Sequence, residues 1–221
     1  MVIVNYNARD YLEACLSSLR ESLDCDLCEV VVVDNASTDG SQEMVGSTFP
    51  GIDLLESDTN LGFARANNLG LAKATTPYVL LLNSDTIVSK DALERMIEAM
   101  DALPDLQVCT CQHLDGSGTP SKPYGRFPSL RSELMTLTGA FKWPVVKQLI
   151  GLRGRLALRL RMRSRAQSDD MEQTASGVEV APVDWVNGAC MMLRREFVWR
   201  LGGLDESFFF YGEDIDLCRR I

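Results

Sequence analysis

Five carboxylates and four consecutive aromatic residues share the segment from Gly202 to Cys218. A solvated acidic loop would not carry the aromatic residues, and a segment of the core would not carry the acids. Apolar surroundings disfavour an ionised carboxylate and raise its pKa, which can prepare it to act as a general base. We therefore predict that this segment forms one wall of an active site.

Three of these acids are predicted to begin a helix that runs through Arg220. Successive residues on a helix lie about 100° apart, so Asp214 and Asp216 should point roughly 200° apart. Asp216 is placed to pair with Arg220 four residues later, a structural role. Asp214 or Glu213 is then the better candidate base. The alternative is that the acids only complement the positive end of the helix dipole.

Polar side chains follow four predicted strands at the points where those strands end. Ligands of open parallel sheets bind beyond the carboxyl ends of the strands. The four strand ends carry Asn5-Tyr6-Asn7, the run from Asp34 to Gly40, the run from Asn60 to Asn68, and Asn83-Ser84-Asp85. Acids, amides and hydroxyls are therefore expected along one edge of the sheet.

Each of these runs has a binding interpretation and a structural one. Asp34 can accept hydrogen bonds from a nucleobase imide or a ribose, or Asp34 and Ser37 can cap the following helix. Arg65 suits an anionic diphosphate near a helix start, or its loop is an ordinary glycine-containing connection. Asp85 can hold Mg²⁺ or Mn²⁺ with phosphates and waters, or belong to a plain turn.

Two common nucleotide-binding motifs are absent from the sequence. It contains neither the GxGxxG of dinucleotide-binding proteins nor the GxxxxGK[ST] of phosphate loops in these runs. Simple NAD binding and Walker-type ATP binding are therefore disfavoured.

Strand and helix patterns alternate through the first hundred residues. Strands are predicted at 2–6, 30–33, 52–55, 78–82, 106–111 and 189–193, and helices at 10–23, 39–49, 63–74, 91–103 and 196–201. Short links between them predict an α/β fold with a mainly parallel central sheet flanked by helices. Residues 115–129 and 166–182 are expected to form loops. We divide one domain, 1–221, into a nucleotide-binding half (1–112), a variable insertion (113–182) and an acceptor and catalytic segment (183–221).

The charge is unevenly distributed along the 221 residues, whose net charge is −9. Residues 147–165 contribute +7 with no acid, which leaves −16 on the remainder. A strongly acidic body is a poor nucleic-acid binder, so no nucleic-acid partner is expected. The basic stretch places leucines on one helical face, which predicts either peripheral contact with anionic lipid or a solvated helix packed on the domain.

The seven cysteines do not form the framework of a disulfide-rich scaffold. Cys25 and Cys28 have zinc or redox spacing, but a second such pair is missing, and His113 is the only histidine. We expect reduced thiols and no structural zinc site. Without a bilayer-spanning apolar run or a leader peptide after Met1, we expect a cytoplasmic location, with the inner face of the membrane as an option.

Six blocks of the sequence together resemble the family 2 glycosyltransferases, in particular the bacterial rhamnosyltransferase-like branch. The blocks lie in family order at 2–7, 33–41, 60–67, 82–85, 185–189 and 202–219. The resemblance implies a GT-A-type nucleotide-diphospho-sugar transferase fold, a nucleoside-diphosphate-sugar donor and an inverting transfer. Family members usually continue beyond the acidic helix, so we expect a C-terminally truncated chain.

The resemblance also implies roles for individual residues. Asp214 matches the presumed general base, Glu213 would orient the acceptor hydroxyl, and Asp85 matches the last acid of the metal motif, with Asn83 where a first aspartate is common. The implied donor-binding residues are Asn5, Asn7, Asp34, Ser37, Gly62, Arg65, Asn67, Asn83 and Asp85. The implied acceptor-binding residues are Trp185, Asn187, Gly188, Asp205 and Tyr211. Mg²⁺ or Mn²⁺ at Asp85 is the implied cofactor.

The sequence therefore predicts an inverting glycosyltransferase of bacterial surface polysaccharide or cell-wall synthesis. The donor is expected to be dTDP-rhamnose or a UDP-sugar, and the acceptor a hydroxyl of a glycan or a lipid-linked molecule. One alternative is a truncated, inactive domain that binds nucleotide or membrane. A sugar-nucleotide pyrophosphorylase is disfavoured because Asn7-Ala8-Arg9-Asp10 lacks the glycine-rich basic loop that such an enzyme needs after its first strand.

Overall fold

A mixed sheet of six strands forms the centre of the fold. The computed structural model describes residues 1–22, 28–89, 91–128, 172–174 and 177–221 of the chain. The described strands are β1 (Val2–Asn5), β2 (Val31–Asp34), β3 (Asp53–Glu56), β4 (Tyr78–Asn83), β5 (Val108–Cys109), β6 (His113–Leu114), β7 (Pro120–Ser121), β8 (Tyr124–Gly125), β9 (Glu172–Gln173), β10 (Glu179–Val180), β11 (Trp185–Val186) and β12 (Cys190–Arg194). The central sheet has the order β3-β2-β1-β4-β12-β5.

Six helices are described around this sheet. They are α1 (Arg9–Ser22), α2 (Ser41–Thr48), α3 (Phe63–Leu71), α4 (Ala92–Ala102), α5 (Arg195–Arg200) and α6 (Glu213–Arg220). α1 buries Leu12, Cys15, Leu16 and Leu19. That spacing places one apolar stripe against the sheet, because residues three and four apart share a helical face.

The strand directions confirm the predicted mainly parallel sheet. β1 pairs in parallel with β2 and with β4, and β2 pairs in parallel with β3. β12 runs antiparallel to β4, and β5 runs antiparallel to β12. The start of β12 therefore lies at the edge of the sheet where the parallel strands end.

The core divides into two hydrophobic clusters on opposite faces of the sheet. Alternate residues of a strand point to opposite faces. Leu80, Leu82 and Met192 accordingly join the cluster that packs with α1, α2 and α4, whereas Leu81 and Met191 join the cluster with α3, α5 and α6. Helices thus cover both faces, as predicted.

The expectation that residues 115–129 form only loop is corrected by short strands. β7 pairs with β6, and β8 pairs with β11, some sixty residues later in the sequence. Composition could not indicate this pairing, because a partner so distant in the chain leaves no local periodicity. The basic stretch 147–165 lies outside the described residues. Within the described ranges, every helix is too short or too polar to cross a bilayer.

Candidate active site

Asp34 lies at the carboxyl end of β2 and is held by three neutral donors. Its side chain is 1% exposed. Asn5 Nδ2 donates to Asp34 Oδ2 at 3.0 Å, while Ser37 N and Gln42 Nε2 donate to Oδ1 at 2.9 and 2.8 Å. A carboxylate offers about four acceptor positions, so about one remains for a ligand. Gln42 was missed in the sequence because it lies inside α2, away from the strand ends.

The loops after β1 and β2 are joined through Asn7 and Ser37. Ser37 Oγ accepts from Asn5 Nδ2 at 3.1 Å and from Asn7 N at 2.9 Å. Asn7 Oδ1 accepts from Thr38 N at 2.8 Å. Asn7 and Ala36 have φ of 50° and 68°, a left-handed backbone that is uncommon for residues other than glycine. These bonds fix the two loops as one unit.

The helix-capping alternative for Asp34 and Ser37 does not describe this structure. The N-cap of α2 is Gly40, which makes no side-chain cap bond. Asp39 instead accepts from the first helical residue, Ser41, through its backbone N at 3.1 Å. Asp34 and Ser37 are therefore left to organise the strand ends.

The loop from Asn60 to Gly62 connects the carboxyl end of β2 to the four consecutive aromatic residues Phe208–Tyr211, called the aromatic segment below. Asn35 Nδ2 donates to Asn60 Oδ1 at 2.8 Å, and Asn35 Oδ1 accepts from Leu61 N at 2.8 Å. Gly62 has φ of +80°, and a Cβ there would lie 2.5 Å from the carbonyl oxygen of Phe209. Phe63 N donates to that same oxygen at 2.8 Å. Glycine at position 62 thus lets the aromatic segment contact the start of α3.

Two predicted donor-binding residues of α3 have partners within the protein. The exposed Arg65 forms an ion pair with Glu206 at 3.3 Å. Asn67 is buried and donates to Phe63 O at 3.0 Å within its own helix. Asn68, which the sequence did not single out, bonds Leu204 through both its amide nitrogen and oxygen at 2.9 Å. α3 therefore anchors the chain that leads to the acids of α6. Diphosphate binding by Arg65 stays a prediction.

Asp85 lies just beyond the carboxyl end of β4, with an exposed side chain. Within the described ranges its carboxylate makes no hydrogen bond or ion pair. Asn83 N donates to Ala189 O at 2.9 Å, which ties the end of β4 to the start of β12. Exposed carboxylate oxygens are the ligands that Mg²⁺ and Mn²⁺ prefer, with waters and substrate phosphates completing the coordination. The donor set at Asp85 fits such an ion.

Asp214 contacts the chain at the start of β12. Gly188 N donates to Asp214 Oδ2 at 3.3 Å, and Ile215 N donates to Oδ1 at 2.7 Å. A Cβ on the buried Gly188 would lie 3.3 Å from the Phe63 ring and 3.8 Å from Asp214 Cβ. A larger residue at position 188 would therefore press on the Phe63 ring, which would have to shift by a few tenths of an ångström. Asp214 itself is only partly buried.

The neighbouring acids of α6 have distinct environments, as the predicted helix geometry requires. Asp216 Oδ2 accepts from Arg220 Nε at 2.7 Å, the expected pair four residues apart. Glu213 is buried, and within the described residues its Oε2 has no hydrogen-bond partner. Burial raises the pKa of Glu213, with a further contribution from the adjacent charge of Asp214. Asp214 is partly exposed and bonded to Gly188, and its role as the base stays a prediction.

A continuous series of contacts joins the three predicted site acids along one edge of the sheet. Asp34 precedes Asn35, which bonds the loop before Gly62, and Phe63 then contacts Gly188. Gly188 bonds Asp214, and the next residue bonds Asn83, two residues before Asp85. The described geometry thus brings these acids to the same edge, where ligands of α/β sheets bind.

The predicted acceptor residues differ in exposure. Trp185 packs over Gly125 and donates from Nε1 to Arg126 O at 2.9 Å, while Asn187 Oδ1 accepts from Ala189 N at 2.7 Å. Asp205 is exposed and accepts from Ser207 N at 2.9 Å. Tyr211 is 77% exposed, and its ring centroid lies 4.0 Å from that of Phe210. Trp185 is therefore fixed in the scaffold, whereas the exposed rings of Phe209, Phe210 and Tyr211 form an aromatic surface beside Gly62.

The buried Glu213 predicts a measurable dependence of stability on pH. The Glu213 carboxyl holds its proton more tightly in the folded protein than in the unfolded chain. The free energy of unfolding therefore falls as the pH rises from the ordinary glutamate pKa through the raised pKa of Glu213. We expect Glu213→Gln to stabilise the protein relative to wild type at neutral pH, with the difference shrinking on acidification. Urea unfolding of both proteins across this pH range measures it. Glu196→Gln, an exposed change in α5, is the control, and an equal pH profile for both variants would contradict the assignment.

Comparison with known proteins agrees with this architecture. The chain is 27% identical to the N-acetylglucosaminyl-diphospho-decaprenol L-rhamnosyltransferase of Mycobacterium tuberculosis, over 100% of this chain and 69% of that protein. It is 24% identical to the rhamnosyltransferase WbbL of Escherichia coli, over 100% of this chain and 75% of that protein. Among solved structures, the mannosyltransferase PcManGT of Pyrobaculum calidifontis, in complex with GDP-Man and Mn²⁺, has a TM-score of 0.59 and 21% identity.

That structural match covers 98% of this chain but 49% of the mannosyltransferase, so the chain spans about half the length of that solved structure. It shows the fold and confirms the predicted GT-A type. The model of the family described as "Glycosyl transferase family 2" matches residues 1–158, well over half of the chain. The predicted family, its rhamnosyltransferase-like character and the glycosyltransferase class are thereby confirmed. The chain belongs to glycosyl transferase family 2.

Proposed function

We propose that this chain carries the donor-binding and catalytic site of an inverting glycosyltransferase. It would move a sugar from a nucleoside-diphosphate sugar to a hydroxyl of a glycan or lipid-linked acceptor during bacterial surface polysaccharide synthesis. The observation that carries the proposal is the placement of the partly exposed Asp214 against Gly188, next to the end of β4 that presents Asp85.

The donor side is assigned to the loops after the parallel strands. Asp34 has about one free acceptor position, which suits a ribose hydroxyl or a nucleobase imide. The bonds among Asn5, Asn7 and Ser37 hold the loops after β1 and β2 in place before the donor arrives. We assign dTDP-rhamnose as the first donor to test, because relatives named as rhamnosyltransferases align over the whole chain, and UDP-sugars as the second.

The catalytic step is assigned to Asp214. Its carboxylate takes the proton of the acceptor hydroxyl while that oxygen bonds to the anomeric carbon and the nucleoside diphosphate leaves with the bonding electrons. One displacement inverts the anomeric carbon, so no nucleophilic side chain is needed. The hydrogen bond from Gly188 N holds the carboxylate toward the start of β12, and the Phe209–Tyr211 surface is available to support the acceptor.

A divalent cation at Asp85 would stabilise the negative charge that develops on the leaving diphosphate. Asp85 holds it through one carboxylate, and the Asn83 carboxamide lies two residues away at the same strand end. The donor's own phosphates are needed to complete the ligand set, so we expect this ion to bind together with the donor.

A thermal-shift screen with nucleoside-diphosphate sugars, with and without Mn²⁺, tests the proposal. A cognate donor at about 100 times its Kd stabilises the folded state by about 2.7 kcal/mol, which shifts the melting temperature measurably. We expect the Mn²⁺-dependent part of this shift to disappear in Asp85→Ala. Asp105→Ala is the matched control, an exposed aspartate before β5 at the opposite edge of the sheet. Stabilisation by NAD or ATP as large as that by any sugar nucleotide would contradict the proposal.

A further inference from the structure

We propose that Cys111, His113 and Cys190 form a second metal site, which binds a thiophilic divalent cation such as Zn²⁺. The sulfur and imidazole ligands of this site differ in chemistry from the oxygen donors of Asp85. It would join the chain after β5 to the first residue of β12. No structural zinc site was expected from the sequence, because Cys190 is about eighty residues from the other two and their spacing gave no zinc motif.

The three side chains converge at metal-binding distances. One ligand atom from each lies within 4.8 Å of the other two, and the Sγ atoms of Cys111 and Cys190 are 3.9 Å apart. Two thiolates bound tetrahedrally to zinc at about 2.3 Å each lie about 3.8 Å apart. A disulfide needs about 2.05 Å between the sulfurs, far closer than observed here. The spacing therefore matches a shared cation better than a covalent bond.

The orientation of His113 also favours a ligand role. Thr110 Oγ1 donates its only proton to Cys190 O at 2.7 Å, and the same oxygen lies 3.4 Å from His113 Nε2. Because the Thr110 hydroxyl proton is used in the bond to Cys190 O, Thr110 Oγ1 accepts a hydrogen bond from His113 Nε2–H. The other ring nitrogen, Nδ1, then carries the lone pair that can bind a metal. A hydrogen bond to the second ring nitrogen commonly fixes the tautomer of a metal-binding histidine.

The surroundings suit a thiolate ligand. Cys190 is buried, whereas Cys111 and His113 are partly exposed, so an ion can enter and a water can complete the coordination. Sulfur and imidazole ligands select zinc-like ions over Mg²⁺ or Mn²⁺. The two sites of the protein are therefore expected to bind different metals.

Cobalt binding to the metal-free, fully reduced chain tests this proposal. We expect one equivalent of Co²⁺ to give thiolate-to-cobalt charge-transfer absorption with the visible bands of a tetrahedral ion, and Zn²⁺ to remove both. Cys111→Ser and His113→Ala should each weaken Co²⁺ binding by at least about tenfold. Circular dichroism of each variant confirms that it folds, and Cys111→Ser replaces only a partly exposed atom.

Two cysteine variants serve as matched controls. Cys109→Ser changes a cysteine two residues from Cys111, and Cys28→Ser disrupts the Cys25–Cys28 pair; both should bind Co²⁺ like wild type. Absence of the charge-transfer band in wild type would overturn the proposal. Wild-type binding by Cys111→Ser, or loss of binding in Cys28→Ser, would do so as well.

Discussion

Asp214→Asn is expected to lower the rate of sugar transfer by about 10²- to 10⁴-fold, the usual contribution of a general base. The amide cannot accept the hydroxyl proton, yet it has nearly the same shape and can still accept a hydrogen bond from Gly188 N. Donor binding should therefore change little. Transfer rates at saturating donor, together with thermal shifts for donor affinity, separate these two effects.

Asp216→Asn provides the matched control for that substitution. Asp216 lies on the same helix two residues later, and its carboxylate bonds Arg220 instead of facing Gly188. We expect near wild-type transfer and a stability loss of about 0.3–1 kcal/mol, typical of a partly exposed helical ion pair. Equal losses of transfer in both folded variants, or unchanged transfer in Asp214→Asn, would remove Asp214 from the role of base.

Gly62→Ala is expected to destabilise the protein by about 2–4 kcal/mol. The new Cβ would lie 2.5 Å from Phe209 O and 2.8 Å from the Phe209 ring, at a φ of +80° that side chains other than glycine rarely adopt. Relief of the clash must move the aromatic segment and stretch the Phe63 N–Phe209 O bond. Transfer should fall with stability, which urea unfolding and initial rates measure together.

Gly118→Ala is the control for a positive φ without the steric clash. Gly118 has the same φ of +80°, but nothing lies within 4 Å of the position its Cβ would take. This variant should lose only about 1–2 kcal/mol, the cost of a left-handed backbone. A Gly62→Ala protein that is as stable as Gly118→Ala, or more stable, would show that Gly62 and Phe209 are not in close contact.

The elements that the sequence predicted well are those with strong local patterns. The three valines of β2, the leucine stripe of α1 and the acid-rich start of α6 all lie within a residue or two of their predicted positions. Local pattern also sufficed for the Asp216–Arg220 pair, because both residues belong to one helix. The polar residues predicted at the strand ends lie at one edge of the sheet, because the parallel strands all end there.

The features that could not be predicted from the sequence depend on contacts between distant segments. The antiparallel direction of β12, the pairing of β8 with β11 and the approach of Cys190 to Cys111 all join residues at least sixty positions apart. The burial of Asn67 and the ion pair of Arg65 likewise follow from how α3 packs, which motif spacing does not specify. Tertiary packing decides such side-chain environments.

The reversed direction of β12 has a consequence for how specificity can change. In the proposed function, loops after the parallel strands hold the nucleotide, whereas Trp185–Gly188 approach from the opposite direction, just before β12 begins. The residues just before β12 are therefore assigned to the sugar's destination and do not belong to the loops assigned to its origin. Under the proposed function, exchanging residues 185–188 is expected to redirect the sugar to a different acceptor while leaving its source intact.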